Sequence, residues 1–387
     1  MQIESLKSLY KTHKEKSLFG RYIHTKNIEL LLEYLPSIFK VDTIGKSVND
    51  ENIFSVTIGT GMKKVLMWSQ MHGNESTTTK ALFDIFNFLN DSNALSSTII
   101  NNCTLKIIPI LNPDGALTYK RFNTNNIDLN RDAQDLSQPE SIALRHCFDT
   151  FQPDFCFNLH GQRTIFSAGK TNNPATISFL SPAKDSSCSI TKNRAIAMEI
   201  IGVMNVMLQK QIPNQIGVYD DAFNIDCVGD TFQSLNVPTI LFEAGHYKND
   251  YSREKTREYI FQSLLTALQY IALNTIKGNN YRTYFNIPKN ESNFFDIIIR
   301  NAVVSLENKE QYLDIGILYE ERLVENSIEF IPIIDKITDL SKYHGHKEIN
   351  ANKNEVLSSD RCELKVGYEN DFVLINNVKY SLILENY

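Results

Sequence analysis

The apolar run Val65-Leu66-Met67-Trp68 leads into the polar stretch Met71-His72-Gly73-Asn74-Glu75. A short apolar run that ends in a polar turn is typical of a buried strand, and residues 76–90 beyond the turn have the spacing of a helix. His72 and Glu75 then lie on the turn between a strand and a helix, where both side chains can reach one point. We expect that point to hold a metal ion.

Further apolar runs follow the same pattern along the chain. Residues 105–111, 153–159 and 237–242 each end in polar residues, with helical segments between them. This alternation predicts an α/β domain with a mixed, largely parallel central sheet flanked by helices. We assign residues 1–280 to this domain, with residues 1–50 mainly helical.

The composition changes near residues 277–280, and short β-type runs separated by polar loops follow. They predict a small, mostly β domain over residues 288–387. This domain contains His344-Gly345-His346, a pattern that can bind metal. Because no further ligands accompany it, we expect structural or surface roles for these histidines.

The amino-acid composition of the chain indicates which kinds of molecule the protein can bind. The chain has 387 residues, 42% hydrophobic and 22% charged, with a formal net charge of −6 and no dense basic cluster. These values argue against a nucleic-acid or membrane surface and favour a small-molecule or peptide substrate. The first 20 residues lack the apolar core of an export signal, and no stretch approaches the ~18 apolar residues of a spanning helix. We therefore expect a soluble, cytoplasmic protein.

Polar signals fall at the carboxyl ends of several predicted strands: His72 with Glu75, the turn Asn112-Pro113-Asp114-Gly115, His160, and Glu243. In open α/β sheets, ligands bind in the crevice outside these strand ends, so we expect the signals to converge. Two imidazoles and one carboxylate suit zinc and leave a fourth position for water. Glu243 remains as the base that such a water needs.

A second polar cluster lies between the second of these strands and the next helix. It contains Arg121, Asn130 and Arg131. Arginine matches a carboxylate with two parallel donors, so this cluster suggests recognition of an anionic substrate group and of a developing oxyanion. Surface salt bridges are the alternative role for each arginine.

These motifs together resemble the zinc carboxypeptidase superfamily, which includes carboxypeptidase A-like peptidases and a branch of succinylglutamate desuccinylases and aspartoacylases. The resemblance covers about residues 50–270 and implies one zinc ion per chain. It implies that His72, Glu75 and His160 bind the zinc, and that Glu243 is the general base and acid. Arg121 would stabilise the oxyanion, and Asn130 and Arg131 would hold the substrate's terminal carboxylate. These peptidases also use a tyrosine from a loop ahead of the glutamate strand, for which Tyr219 is the candidate.

Three functions follow from this resemblance. The leading one is a zinc metallocarboxypeptidase that removes C-terminal residues from peptides, since the Asn130-Arg131 pair suits a free carboxylate. The nearest alternative is a deacylase that cleaves N-acyl amino acids with the same metal and base. The third is a catalytically silent module that binds peptides or cell-wall fragments. The ligand set and Glu243 argue against the third, because a binding module has no need of a buried base.

Overall fold

The computed structural model describes residues 2–306 and 309–384. The described helices are α1 (Ile3–His13), α2 (Thr25–Glu33), α3 (Thr77–Asn90), α4 (Ala94–Asn102), α5 (Pro113–Leu117), α6 (Pro139–Phe151), α7 (Lys192–Gln209), α8 (Val228–Ser234) and α9 (Glu254–Leu273). Short 3-10 turns occur at Leu129–Arg131 and Tyr281–Asn286. None of the described helices is both long and apolar enough to cross a membrane.

The strands fall into a first group before residue 280 and a second group after it. The first group is β1 (Lys40–Lys46), β2 (Asn52–Ile58), β3 (Lys63–Ser69), β4 (Cys103–Ile108), β5 (Phe155–Gly161), β6 (Phe166–Ala168), β7 (Ile177–Leu180), β8 (Ile216–Val218) and β9 (Thr239–Ala244). The second is β10 (Asn290–Ser292), β11 (Phe294–Leu306), β12 (Lys309–Val324), β13 (Ser327–Thr338), β14 (His344–Asn350), β15 (Val356–Leu357), β16 (Phe372–Ile375) and β17 (Val378–Ser381).

The central sheet has eight strands in the order β1-β2-β4-β3-β5-β9-β7-β8. The pairs β4–β3, β3–β5, β5–β9 and β7–β8 are parallel, and the other three are antiparallel. The predicted mixed, largely parallel sheet flanked by helices is confirmed. Since β3, β5 and β9 are adjacent and parallel, their carboxyl ends are side by side. The polar residues at these strand ends therefore lie close together.

Helices cover both faces of this sheet, which explains why β3 is a continuous apolar run. Helices α3, α7 and α9 pack on one face around a large core that includes Phe86, Phe157 and Phe242. On the other face, α6 and α8 cover Trp68. Phe148 of α6 and Phe232 of α8 stack there with ring centroids 4.0 Å apart. The strand ends that carry the polar residues are therefore held from both sides.

Residues 1–50 are less helical than predicted. The structure places strand β1 there, and it pairs antiparallel with β2 at the edge of the sheet. Its residues are exposed or half-buried, so no clear apolar period marks the strand in the sequence. The prediction was wrong here because pairing with β2, rather than burial, makes this segment a strand.

Strand β10 pairs antiparallel with β6 of the first group. The strands after residue 292 form their own sheets, one in the order β13-β12-β11-β14 and one in the order β15-β16-β17. A separate apolar core, including Ile297, Ile317 and Val373, lies between them. The expectation of a C-terminal, mostly β domain is thus confirmed. The boundaries 1–280 and 288–387 stay a prediction, and residues 1, 307–308 and 385–387 lie outside the described part.

Candidate active site

The turn after β3 brings His72 and Glu75 together. The backbone N–H of Glu75 donates to the carbonyl of His72 (3.0 Å), and His72 Nδ1 lies 2.9 Å from Glu75 Oε1. Gly73 in this turn packs directly on the backbone of Gly115, where a Cβ would lie 2.0 Å from the Gly115 carbonyl carbon. A side chain at position 73 would therefore displace the turn that carries His72 and Glu75.

His160 reaches the same point from the end of β5. Its Nδ1 lies 2.9 Å from Glu75 Oε2 and 3.1 Å from His72 Nδ1. One ligand atom from each of the three residues lies within 4.8 Å of the others. The structure thus brings together the three residues that the sequence suggested as metal ligands.

This donor set fits zinc. Two nitrogens bound to one tetrahedral zinc ion at about 2.1 Å are about 3.4 Å apart, close to the 3.1 Å between the two Nδ1 atoms. Two uncharged imidazoles and one carboxylate are also ligands that zinc prefers. Glu75 is held in its ionised form, because the neighbouring histidines lower its pKa despite its burial. The site is therefore prepared for a divalent cation.

Asp128 orients His72, a role the sequence analysis did not assign. His72 Nε2 lies 3.1 Å from Asp128 Oδ1. An N–H donated to Asp128 leaves the lone pair of Nδ1 directed at the metal position, as is usual for histidine ligands. The charge of Glu75 and the hydrogen bond to Asp128 together raise the pKa of His72, although burial opposes this. The only sequence signal was the position of Asp128 inside the same motif as Asn130 and Arg131.

Glu243 stands next to the ligands on β9. In the parallel pairing of β5 with β9, Glu243 lies directly opposite His160. Burial, together with the charge of Glu75, raises the pKa of Glu243 well above its ordinary value. Its Oε2 is buried and has no hydrogen-bond partner among the described residues. A carboxyl group in this position can exchange a proton with a molecule bound at the metal position.

Arg121 lies at the rim of this cluster. Its Nε and Nη2 donate to Asp128 Oδ2 at 3.2 and 3.0 Å, and its Nη1 lies 3.5 Å from Glu75 Oε1. These contacts fix the guanidinium beside the metal position, while 41% of the side chain stays exposed. Its remaining donors are available to an oxyanion formed there.

Asn130 and Arg131 line the same cavity. Asn130 Oδ1 accepts a hydrogen bond from the backbone N–H of Val228 (3.1 Å), which anchors the pair to α8. Arg131 Nη1 donates to the Asn130 carbonyl (2.8 Å). Within residues 2–306 and 309–384, Arg131 forms no salt bridge, although its charge opposes the burial that raises the pKa of nearby Asp230, so its exposed guanidinium can receive an anionic group.

Tyr219 also reaches this cavity. Its hydroxyl donates to Gln162 Oε1 (2.8 Å), and its ring packs edge-on against Phe166 (5.5 Å between centroids). Asn290 of β10 donates to the same Gln162 oxygen (3.2 Å). Burial and the charge of Glu243 raise the pKa of Tyr219, so the hydroxyl stays protonated. The structure therefore places Tyr219 in the same cavity as the other candidate residues, and Gln162 is its hydrogen-bond partner.

The turn Asn112-Pro113-Asp114-Gly115 has a supporting role. Asn112 Oδ1 caps α5 by accepting from the Gly115 N–H (2.9 Å), and Asn112 Nδ2 donates to the Met71 carbonyl (3.2 Å). Asp114 accepts from Ser47 Oγ (2.7 Å), away from the metal position. This turn thus supports the loop that carries His72 and supplies no ligand.

His346 of the second domain is held by a hydrogen bond and by packing against neighbouring side chains. His346 Nε2 bonds to the Thr164 carbonyl (2.9 Å), and its ring stacks on Phe294 (4.5 Å between centroids). The described residues contain one cluster of potential metal ligands, which is His72, Glu75 and His160. His346 therefore has the structural role that the sequence suggested.

Comparison with known proteins agrees with this geometry. The model of the zinc carboxypeptidase family matches residues 25–214. Carboxypeptidase SOL1 of Arabidopsis thaliana is 31% identical over 143 residues, which are 32% of this chain and 29% of that protein. Carboxypeptidase D of Anas platyrhynchos is 26% identical over 196 residues, covering 43% of this chain and 14% of that protein. The chain thus spans less than a third of the length of these relatives.

The fold is shared with a solved carboxypeptidase. The crystal structure of carboxypeptidase A from Helicoverpa armigera superposes with a TM-score of 0.50 at 18% identity, covering 69% of this chain and 80% of that one. The resemblance seen in the motifs is confirmed by the zinc carboxypeptidase family model, which matches residues 25–214. Because this family is named for its zinc, the expected cofactor agrees with both the match and the ligand set.

Proposed function

We propose that the protein is a zinc metallocarboxypeptidase that hydrolyses the last amide bond of a peptide with a free C-terminal carboxylate. The observation that carries this proposal is the convergence of His72, Glu75 and His160 beside a buried, unpartnered Glu243 carboxyl oxygen. A binding module has no need of such a carboxyl group. The matched family and relatives are carboxypeptidases, which favours a peptidase over a deacylase.

The residues around the metal position divide the chemistry among them. When bound, zinc would supply a Lewis acid that polarises the scissile carbonyl and acidifies water. Glu243 takes one proton from the attacking water while the water oxygen bonds to the carbonyl carbon. Arg121 donates hydrogen bonds to the oxyanion that forms as the carbonyl π bond opens. Glu243 then passes the proton to the amide nitrogen, the C–N bond breaks, and a carboxylic acid and an amine result.

The substrate's terminal carboxylate is received at the α8 side of the cavity. Arg131 offers an exposed guanidinium there, and Asn130 beside it is held by the Val228 N–H. Bidentate donors of this kind match a carboxylate, so a free C terminus is held at a fixed distance from the scissile bond.

The decisive experiment replaces Glu243→Gln and measures both zinc content and turnover of a short peptide. Loss of the proton acceptor should lower kcat/KM by at least about 100-fold, while zinc content stays near that of the wild type. Glu33→Gln, on an exposed position of α2, is the matched control and should change neither. Turnover by Glu243→Gln within about two-fold of the wild type would refute the assignment.

A substrate panel separates the peptidase from the deacylase. We expect hydrolysis of peptides with a free C terminus and no hydrolysis of the same peptides with an amidated C terminus. Activity only on N-acyl amino acids would refute the peptidase proposal while leaving the metal site intact.

A further inference from the structure

The second domain forms part of the wall of the active-site cavity. This cavity has a volume of about 960 Å³ and is lined by the metal-site residues together with residues of β12 and β13. The contributions of these two strands are Leu318, Tyr319, Glu320, Glu321, Ile333 and Asp335. The second domain is therefore in a position to contact a substrate.

Strand alternation places Leu318 and Ile333 on the face opposite the core of the second domain. Leu318 of β12 pairs with Ile333 of β13, and their neighbours Ile317 and Ile334 pair with each other. Ile317 and Ile334 are 0% and 1% exposed and belong to the core of the second domain. Because successive side chains in a strand point to opposite faces, Leu318 and Ile333 must point out of that core. They line the cavity on this outer face.

The wall is fastened to the catalytic domain by buried polar contacts. Glu321 pairs with Arg21 (2.9 Å) and accepts a hydrogen bond from the hydroxyl of Tyr119. Asp296, which is 1% exposed, accepts from the Tyr251 hydroxyl and from the backbone N–H of Tyr319, both at 2.8 Å. Breaking these contacts would leave buried charges without partners, which is costly. The wall is thus a fixed part of the cavity.

The position of the wall constrains the substrate. Asn130 and Arg131 are anchored to α8, whereas β12 enters the cavity beside Arg21 and Tyr119. A peptide whose carboxylate is held on the α8 side must direct its preceding residues past the metal position toward the other walls. Each extended residue adds about 3.3 Å, and a cavity of this size encloses a ligand of drug-like dimensions.

We propose that β12 and β13 limit the length of the substrate, so that the enzyme acts on short peptides and discriminates against long peptides and protein C termini. This inference rests on the proposed carboxypeptidase function. We expect Leu318 and Ile333 to set the limit, because they line the cavity on the face of these strands that is turned away from the core of the second domain.

The test is a series of peptides with the same C-terminal pair and one, two, four or eight residues before the scissile bond. We expect kcat/KM to fall at least about 10-fold between the two-residue and the eight-residue members. The double variant Leu318→Ala/Ile333→Ala should recover most of the loss for the longest peptide by widening the cavity. Ile333→Trp should lower the rate on the four-residue member more than on the one-residue member.

Ile331→Ala is the matched control, because Ile331 lies two residues from Ile333 on the same strand and outside the lining of the cavity. It should leave the length profile unchanged. A kcat/KM that is equal or higher for the longest peptide would overturn the length limit and leave the carboxypeptidase proposal standing. Failure to cleave peptides of every length, with zinc bound, would overturn both.

Discussion

His72 and Asp128 are joined across 56 residues of sequence by a contact of 3.1 Å between Nε2 and Oδ1. Asp128 is also held by Arg121, which donates to its other carboxylate oxygen. One carboxylate thus orients a metal ligand and the guanidinium that faces the reaction. Asp128 therefore sets both the orientation of the metal ligand His72 and the position of the Arg121 guanidinium that would bind the oxyanion.

Replacing Asp128→Ala should weaken zinc binding by about 10–100-fold, because the metal-binding nitrogen of His72 loses its orientation and some of its basicity. The measurement is a competition titration against a chelator of known zinc affinity. Asp135→Ala, an exposed position just beyond the same motif, is the control. Equal zinc affinity in Asp128→Ala and wild type would contradict this role.

Replacing Arg131→Ala should raise KM for peptides with a free C terminus by about 10–100-fold, since a charged hydrogen bond is worth roughly 1.5–3 kcal/mol. The change should appear mainly in KM, because the contact exists in the bound substrate as well as in the transition state. Steady-state kinetics on one peptide as free acid and as amide provides the test. Arg145→Ala, on the outer side of α6, is the control. An unchanged KM for the free acid would exclude Arg131 as the carboxylate site.

Asp230 lines the cavity and makes stability depend on pH. Burial raises its pKa to about 6, above its value in an unfolded chain, so ionisation disfavours the folded state. The native protein should lose this part of its stability as the pH rises from about 4 through 6. Asp230→Asn removes the free-energy cost of ionising this buried carboxyl group. The free energy of unfolding of the variant, relative to that of the wild type, should increase by about 1–2 kcal/mol between pH 4.5 and pH 8. This value is reduced to allow for screening by solvent in the neighbouring cavity.

Urea unfolding of both proteins at the two pH values measures this difference, with chelator present throughout so that zinc makes no contribution. Asp135→Asn, which removes a carboxylate at an exposed position, is the matched control. A relative stability of Asp230→Asn that is the same at both pH values would show that Asp230 does not titrate in this range.

The sequence allowed the site to be predicted because three of its residues stand at or just after the end of an apolar run. His72, His160 and Glu243 stand at the ends of β3, β5 and β9, and parallel pairing brings those ends to one edge of the sheet. Local pattern and one topological rule were therefore sufficient.

The partners of these residues could not be predicted in the same way. The contact between Asp128 and His72 depends on the path of an irregular loop, and the bond between Tyr219 and Gln162 depends on strands of three or four residues, β7 and β8. The contribution of Leu318 and Ile333 depends on how two domains pack. The spacing of apolar residues along the chain shows which face of a helix or strand is buried. It does not show which distant helix, strand or domain covers that face.

The most direct measurement is anomalous diffraction from crystals of the zinc-loaded protein, recorded on both sides of the zinc absorption edge. We predict a single strong peak per chain at about 2.1 Å from the Nδ1 atoms of His72 and His160 and about 2.0–2.2 Å from a carboxylate oxygen of Glu75. The absence of a peak at these three residues, or a zinc peak bound elsewhere in its place, would contradict the assignment of this cluster as the catalytic metal site.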